Sequence, residues 1–308
     1  MKIDVVLTER EIEEELSEGL EARDLSEKCF YWSPFSVRAY QSLTAEPWFD
    51  SIRRCWKQLA QGTARLLQPF DDTIPVISLG AGDGVTDSLL LEPVRDSGRE
   101  QKYFPVDASQ SLLEMACAGA EDLDIETAGI KADISSPMHL VFASDAAESP
   151  KLMLMSGNTL GGFDPLEHIR AVAQCLHPGD RLVLDAQIGQ GDGNAIFESD
   201  AMRYFSFAPL AALCVSPEDG EIRFEQKHDE RMPGLSVTRA FFRVNRDLRV
   251  AVPGREILMQ RGENITLNLR YAFTPDTLHS LLEDHADLDV LEKIPSPDGG
   301  CLLAVCSR

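Results

Sequence analysis

The stretch VISLGAGDGVTDSLLL, Val76 to Leu91, decides how the rest of the chain is read. A short apolar run enters a loop carrying Gly80, Gly82 and Gly84, and the loop opens into an apolar-periodic segment. This is the pattern of a buried strand, a glycine turn and a helix. In a parallel sheet such a turn lies at the carboxyl ends of the strands, where ligands bind. Glycines there let a ligand approach the main chain closely, although the same turn also serves purely structural ends. Dinucleotide enzymes use GxGxxG, whereas Val85 stands three positions after Gly82 and the spacing here is GxGxG. No GK[ST] closes the loop, which excludes a P-loop. The spacing favours an adenosyl sulfonium ligand, which needs no pyrophosphate cradle.

Working outward, strands and helices alternate from Ile74 to about Ala186. PVISL, KYFPV, ETAGIKA, KLMLMSG and RLVLDAQ read as strands, and GVTDSLLLEPV, SQSLLEMACAGA and PLEHIRAVAQCL as helices. Alternation at this spacing predicts right-handed crossovers and a parallel sheet covered on both faces. Near the C-terminus TPDTLHSLLEDH reads as a helix, and LDVLEKI and GGCLLAVCS as strands joined by the hairpin-like turn PSPDG. A parallel sheet finished by an antiparallel hairpin is the plan of the class I, Rossmann-like methyltransferase core. The expected fold class is therefore α/β.

The segments on either side of this core read differently. After the glycine-rich GQGDGN come a helix near Ser199–Val215 and five alternating strands, from EIRFEQKHD to ITLNLRYAF. At the N-terminus, Thr8 and Glu11 form a capping box for a helix, and a second helix is expected from Pro47 to Leu67. Between them EKCFYWSPFSVRAYQSL is unusually aromatic for a connector; it either packs the leader on the core or lines a pocket. The expected division is a helical N-terminal segment, 1–72, contributing to a substrate domain. The cofactor core covers 73–189 and 272–308, and a β-rich insertion, 190–271, completes the mixed α+β substrate domain.

Composition narrows the partners. The 308 residues carry a formal net charge of -22, which argues against nucleic acid and fits a small-molecule enzyme. No apolar run approaches the about 18 residues of a membrane span, and the acidic start is unlike a secretion signal, so a cytoplasmic protein is expected. Seven scattered cysteines without a CxxC pair imply a reduced protein with neither zinc site nor disulfide framework. The six histidines are equally dispersed, and no metal is expected. Oligomeric state is not legible.

Two aspartates sharpen the ligand. Asp107 ends the second strand of the core, where a carboxylate can accept both ribose hydroxyl protons. Asp133 ends the third, where a carboxylate can take an adenine amino group with Ile134 against the ring. Either alone reads equally as a turn or helix-cap residue. With the glycine loop, at the ends of successive strands, they make an adenosine site, and S-adenosylmethionine is the expected cofactor.

At this point the chain resembles the histidine Nα-methyltransferase family of ergothioneine biosynthesis, which includes related amino-acid and alkaloid N-methyltransferases. The resemblance runs from about Gly19 to the C-terminus. It is carried by KCFYWSPFSVRAYQSL, ISLGAGDGVTDSLLL and YFPVDASQSLL, and above all by LMLMSGNTLGGFDPLEHIRAVAQCLHPGDRLVLDAQIG. It implies a Rossmann-like core with a substrate domain built from the N-terminal part and an insertion after the fifth strand. It places Gly80, Gly82, Asp107, Asp133 and Ile134 on the cofactor; Ala81, Ala108 and Ser156 beside them complete the expected set. Ser78 stands where an acidic residue is usual and Thr86 where a lysine is.

On the acceptor side the resemblance breaks. The family turn GSTIGN reads GNTLGG, so Gly162 replaces an asparagine expected to bond the histidine imidazole, after Gly157 and Asn158. Tyr31 matches a pocket tyrosine, and a second falls near Trp48. In LNLRYAF, Asn268 replaces a glutamate that helps hold the imidazole, and Arg270 replaces a serine. Histidine is therefore not the expected acceptor. Residues 268 and 270 share a strand face: Asn268 is expected to orient the acceptor, and Gly162 to open room for a larger one. Arg270 reads either as a clamp for a carboxylate or as an ordinary salt bridge. Tyr31 and Trp48 either enclose the acceptor or pack between domains. Methyl transfer needs mainly placement of a neutral amine, so Tyr31 is the expected catalytic, orienting group and no base is assigned. The expected activity is N-methylation of a small amino acid or amine. Oxygen or carbon methylation and non-catalytic adenosine binding stand as alternatives; a nicotinamide dehydrogenase is disfavoured by the glycine spacing.

Overall fold

The computed structural model describes residues 1–189 and 199–308. The first part holds β1 (Lys2–Val5), α1 (Glu9–Ala22), α2 (Pro34–Thr44), α3 (Phe49–Ala60), β2 (Thr73–Leu79) and α4 (Val85–Asp96). It continues with β3 (Glu100–Asp107), α5 (Gln110–Glu121), β4 (Glu126–Lys131), α6 (Pro137–Ser144), β5 (Leu152–Met155), α7 (Pro165–Gln174) and β6 (Arg181–Gln187). Beyond residue 198 lie α8 (Asp200–Ala212), β7 (Gly220–His228), β8 (Ser236–Val244), β9 (Leu248–Val252), β10 (Arg255–Met259) and β11 (Asn264–Ala272). Finally come α9 (Pro275–Ser280), β12 (Asp289–Pro295) and β13 (Cys301–Ser307).

Eight strands form one sheet in the order β1-β4-β3-β2-β5-β6-β13-β12. The first six run parallel, while β13 pairs antiparallel with both β6 and β12. The continuous apolar sequences LMLM of β5 and CLLAVCS of β13 are buried throughout, as strands covered on both faces must be. Strand order reverses at β2, which has β3 on one side and β5 on the other. Loops leaving β2 and β5 therefore part in opposite directions and open a crevice at the strands' carboxyl ends.

A second core lies beside the sheet. Leu16, Leu20, Phe30 and Leu43 of the N-terminal segment pack with Phe205, Leu210, Phe242 and Ile265 of the insertion, and α2 lies along α8. Strands β7, β8 and β11 form an antiparallel sheet, with β9 and β10 a separate hairpin. The capping box at the start of α1 is present: Glu11 N donates to Thr8 Oγ1 at 3.3 Å and Thr8 N to Glu11 Oε2 at 2.7 Å.

Four elements differ from expectation. Residues 1–72 are not wholly helical, since β1 extends the core sheet by pairing with β4. The aromatic connector contains α2, started by Pro34 and by Ser33, whose hydroxyl accepts the Ser36 N–H. The helix expected from Pro47 to Leu67 ends at Ala60, and α3 packs against α4 and β13 of the core. An additional helix, α6, precedes β5. The linker expected at GQGDGN lies, apart from Gly189, outside the described residues.

Candidate functional site

The glycine loop after β2 turns through positive φ at Gly80, Gly82 and Gly84 (70°, 57° and 75°). Its close approaches are largely to protein groups. A methyl group at Gly80 would lie 2.9 Å from Thr159 Cγ2, and one at Gly84 2.9 Å from Ala116 Cα. At Gly82 the obstacle is the phenol oxygen of Tyr40. The three glycines thus let the turn after β5, helix α5 and helix α2 close on one loop.

That loop forms the floor of a cleft enclosing about 900 Å³, including its mouth. Asp107 reaches it from the end of β3, with Oδ2 accepting the Gly82 N–H at 2.9 Å and Oδ1 the Ser109 N–H at 2.8 Å. Burial pushes its carboxyl up to about 6 despite these two donors. Asp133 follows β4; its Oδ1 accepts from Ser135 N and Oγ at 2.9 and 2.6 Å, and its Oδ2 meets Lys28 Nζ at 2.5 Å. Burial would raise this carboxyl, but Lys28 and Ser135 outweigh it and hold it below the usual range. Gly80, Gly82, Ala108, Ile134 and Ser156 also line the cleft, whereas Ala81 is buried behind the loop. Ser156 additionally donates to buried Asp87 at 2.8 Å.

On the opposite side Tyr31, Trp48, Gly157, Asn158, Gly162 and Arg270 line the same cleft, together with Leu43, Phe49, Phe163 and Met202. Several expected roles change. Arg270 is no free clamp: its Nη1 and Nη2 each lie 2.8 Å from a carboxylate oxygen of Glu27. The guanidinium also stacks 5.5 Å from the Phe205 ring centroid. Burial works against its charge, yet Glu27 more than offsets this and keeps it cationic. Tyr31 donates to Glu27 Oε1 at 2.8 Å. Burial first, and Glu27 next, push its phenol well above the ordinary value.

The pair borders the room expected at Gly162, which lines both this cleft and an adjoining cavity: an added methyl there would sit 3.3 Å from Glu27 Oε1 and 3.4 Å from Arg270 Nη1. Asn268 does not reach this cleft. It is buried, donates to Ser206 Oγ on α8 at 3.2 Å, and borders an adjoining cavity with Glu27 and Gly162. The side chain of Asn158 supports its own turn, with Oδ1 accepting the Gln187 N–H at 2.9 Å. Trp48 packs on Phe49 with ring centroids 5.1 Å apart, and its buried indole N–H has no partner among the described residues.

Sequence reasoning missed Glu27, Lys28, Tyr40 and Asp185. Asp185, on β6, accepts N–H groups from Trp56, Gly157 and Asn158 at 2.7, 2.8 and 2.7 Å and so fixes the turn after β5. Burial raises its carboxyl to about 6. The Glu27–Tyr31 spacing of four was a visible signal only with a partner for Glu27 in hand; Lys28 offered none.

A β2-centred parallel sheet, a glycine loop, aspartates ending the next two strands and an antiparallel C-terminal hairpin define a class I, Rossmann-like methyltransferase. Residues 12–190, more than half of the chain, match the family described as histidine-specific methyltransferase, SAM-dependent, and the chain belongs to it. It is similar to the histidine N-alpha-methyltransferase of Mycolicibacterium smegmatis, 27% identical over 126 residues. That match covers 39% of this chain and 38% of the relative's length. Among solved structures, an S-adenosylmethionine-dependent methyltransferase from Clostridium acetobutylicum aligns at 13% identity and TM-score 0.44, covering 82% of this chain and 90% of that one. The amino pentose methyltransferase CalS10 of Micromonospora echinaspora aligns at 14% and 0.39, covering 90% and 98%. No helix among the described residues is long and apolar enough to cross a membrane.

Proposed function

We propose that this protein N-methylates a small amine or amino acid other than histidine, with S-adenosylmethionine as methyl donor. The observation that carries the acceptor part is the Glu27–Arg270 pair. It flanks Gly162, the position where the resemblance expects an imidazole-contacting asparagine, while Asn268 faces α8 instead of the cleft.

The cofactor fits the residues present. In this reading Asp107, its two oxygens already oriented by main-chain donors, holds the ribose hydroxyls. Asp133 takes the adenine amino group beside Ile134, Gly80, Gly82, Ala108 and Ser156 shape the remaining wall, and Ala81 supports the loop from behind. The cofactor supplies a methyl group on a sulfonium, open to in-line displacement by a nitrogen lone pair. The protein's task is then to present a neutral amine and keep water away. Leu43, Trp48, Phe49, Phe163 and Met202 give the cleft apolar walls, and a desolvated wall lowers an amine's proton affinity. Tyr31 stays protonated and is committed to Glu27 as a donor, so it acts through its oxygen: a remaining lone pair accepts an amine N–H and orients the nitrogen. It does not serve as a base.

The test is transfer of labelled methyl from S-adenosylmethionine to a panel of amino acids and amines, with products read by mass and by position of the methyl. Label on the nitrogen of a non-histidine acceptor is expected. Efficient labelling of histidine overturns the acceptor assignment, and label on oxygen or carbon overturns N-methylation.

A further inference from the structure

We infer that Tyr40 is a cofactor-binding residue whose phenol hydroxyl donates to the carboxylate of the cofactor's amino-acid arm. The inference rests on the methyltransferase reading above and extends it to a residue on a different element, helix α2 of the N-terminal segment.

Three observations place it. First, Tyr40 lines the cleft and its Oη stands over Gly82, close enough that any side chain at Gly82 would strike it. Gly82 in turn donates to Asp107. In the strand order β4, β3, β2 the cleft presents Asp133, then Asp107, then the glycine loop under Tyr40. A ligand with adenine at the first and ribose at the second has its amino-acid arm at the third.

Second, that arm ends in a carboxylate, and the cations lining the cleft are committed. Lys28 is held between Asp133 and Glu15 at 2.5 Å each, and Arg270 is paired through two nitrogens with Glu27. Residues 190–198 contain no lysine, arginine or histidine. A neutral donor must therefore contribute to holding the carboxylate, and the Tyr40 hydroxyl makes no hydrogen bond to a described side chain while facing the cleft.

Third, the hydroxyl is kept as a donor. Burial raises the phenol well above its ordinary value, and Asp83, Asp107 and Asp87 raise it further, so it does not ionise in the working range. Its ring is fixed edge-on to Tyr31 at 6.1 Å between centroids, which aims the hydroxyl at the loop.

The test is Tyr40→Phe, read by calorimetry with two probes. S-adenosylhomocysteine keeps the amino-acid arm; 5′-methylthioadenosine has the same nucleoside without it. Loss of a hydrogen bond to a charged group predicts at least about tenfold weaker binding of S-adenosylhomocysteine. Binding of 5′-methylthioadenosine should stay within about twofold, which also shows that the variant is folded. Equal weakening of both probes would mean that the hydroxyl merely shapes the loop, and unchanged binding of both would mean that it touches nothing; either result overturns the assignment. Failure of the wild-type protein to bind either probe would instead overturn the methyltransferase reading itself, and this assignment with it.

Discussion

Arg270 on β11 grips Glu27 through both terminal nitrogens at 2.8 Å, and the two side chains together flank Gly162. Both are about nine-tenths buried. Removing one partner leaves an uncompensated charge in a poorly solvated place, whereas replacing both is far milder. Arg270→Ser should therefore destabilise the protein by about 3–5 kcal/mol. The double variant Glu27→Gln with Arg270→Met should recover most of that loss. Denaturant unfolding of the three proteins checks this; equal stability of the single and double variants would show that the pair is not coupled.

The same geometry constrains any return to histidine. Gly162→Asn alone places a side chain in tight contact with the ion pair and should lower stability without creating histidine methylation. Combining Gly162→Asn, Asn268→Glu and Arg270→Ser with Glu27→Ala removes the obstruction and restores the polar groups the resemblance expects. Methylated histidine should then appear above the wild-type level in a mass-resolved assay. Its appearance with Gly162→Asn alone would show that the ion pair does not bar the imidazole.

These two predictions mark where the sequence was readable. The placing of Asp107 and Asp133 in one cleft was legible because it follows from position: Asp107 ends β3 and Asp133 follows β4, its neighbour in the sheet. The apolar runs of β5 and β13 announced the sheet interior for the same local reason. Glu27 was not legible, because its partner lies 243 positions away and no spacing rule links them. Gly162 therefore read as open room with no sign of the ion pair that borders it. Tyr40 was hidden within an aromatic segment whose helix is set by one capping serine. Strand β1 escaped notice because KIDV is four residues long and takes its stability from pairing with β4.

Lys28 bridges Asp133 and Glu15, joining the N-terminal segment to the proposed adenine contact. Without it, only the Ser135 hydrogen bonds would oppose burial, and the Asp133 carboxyl would rise and weaken its grip on an amino group. Lys28→Met should weaken S-adenosylhomocysteine binding by about tenfold, and Lys28→Arg should do so by less. The inosine analogue, which lacks the 6-amino group, should lose little. Equal losses for the two ligands would assign Lys28 to general packing.

Burial raises Asp107 to about 6 from 3.8, and this has two consequences of opposite sign. Ribose binding uses the ionised form, so affinity for S-adenosylhomocysteine should fall as pH drops below about 6, by up to tenfold per unit. Stability runs the other way. Between the unfolded and folded values the native state holds a proton that the unfolded chain has released. The contribution of Asp107 is thus full at lower pH and is lost as pH rises through about 6. Asp107→Asn should bind weakly with a flattened pH profile. A wild-type affinity that does not change between pH 5 and 7 would exclude this carboxylate from the binding step.

Asp185 governs both halves of the cleft without lining it. Its carboxylate accepts from Gly157 N, Asn158 N and Trp56 Nε1, so the turn from Ser156 to Gly162 is suspended from β6. Asp185→Asn replaces one acceptor oxygen with an amide NH2, itself a donor, that faces donors. Leaving buried donors unsatisfied should cost about 2–4 kcal/mol. Main-chain protection at Gly157 and Asn158 should fall in hydrogen exchange, and affinity for S-adenosylhomocysteine should fall with it. Trp56→Phe removes one donor and leaves the two main-chain bonds in place, so it should preserve that protection even where it lowers overall stability. Loss of protection in both variants to the same extent would mean that α3 packing, rather than the Asp185 carboxylate, holds the turn.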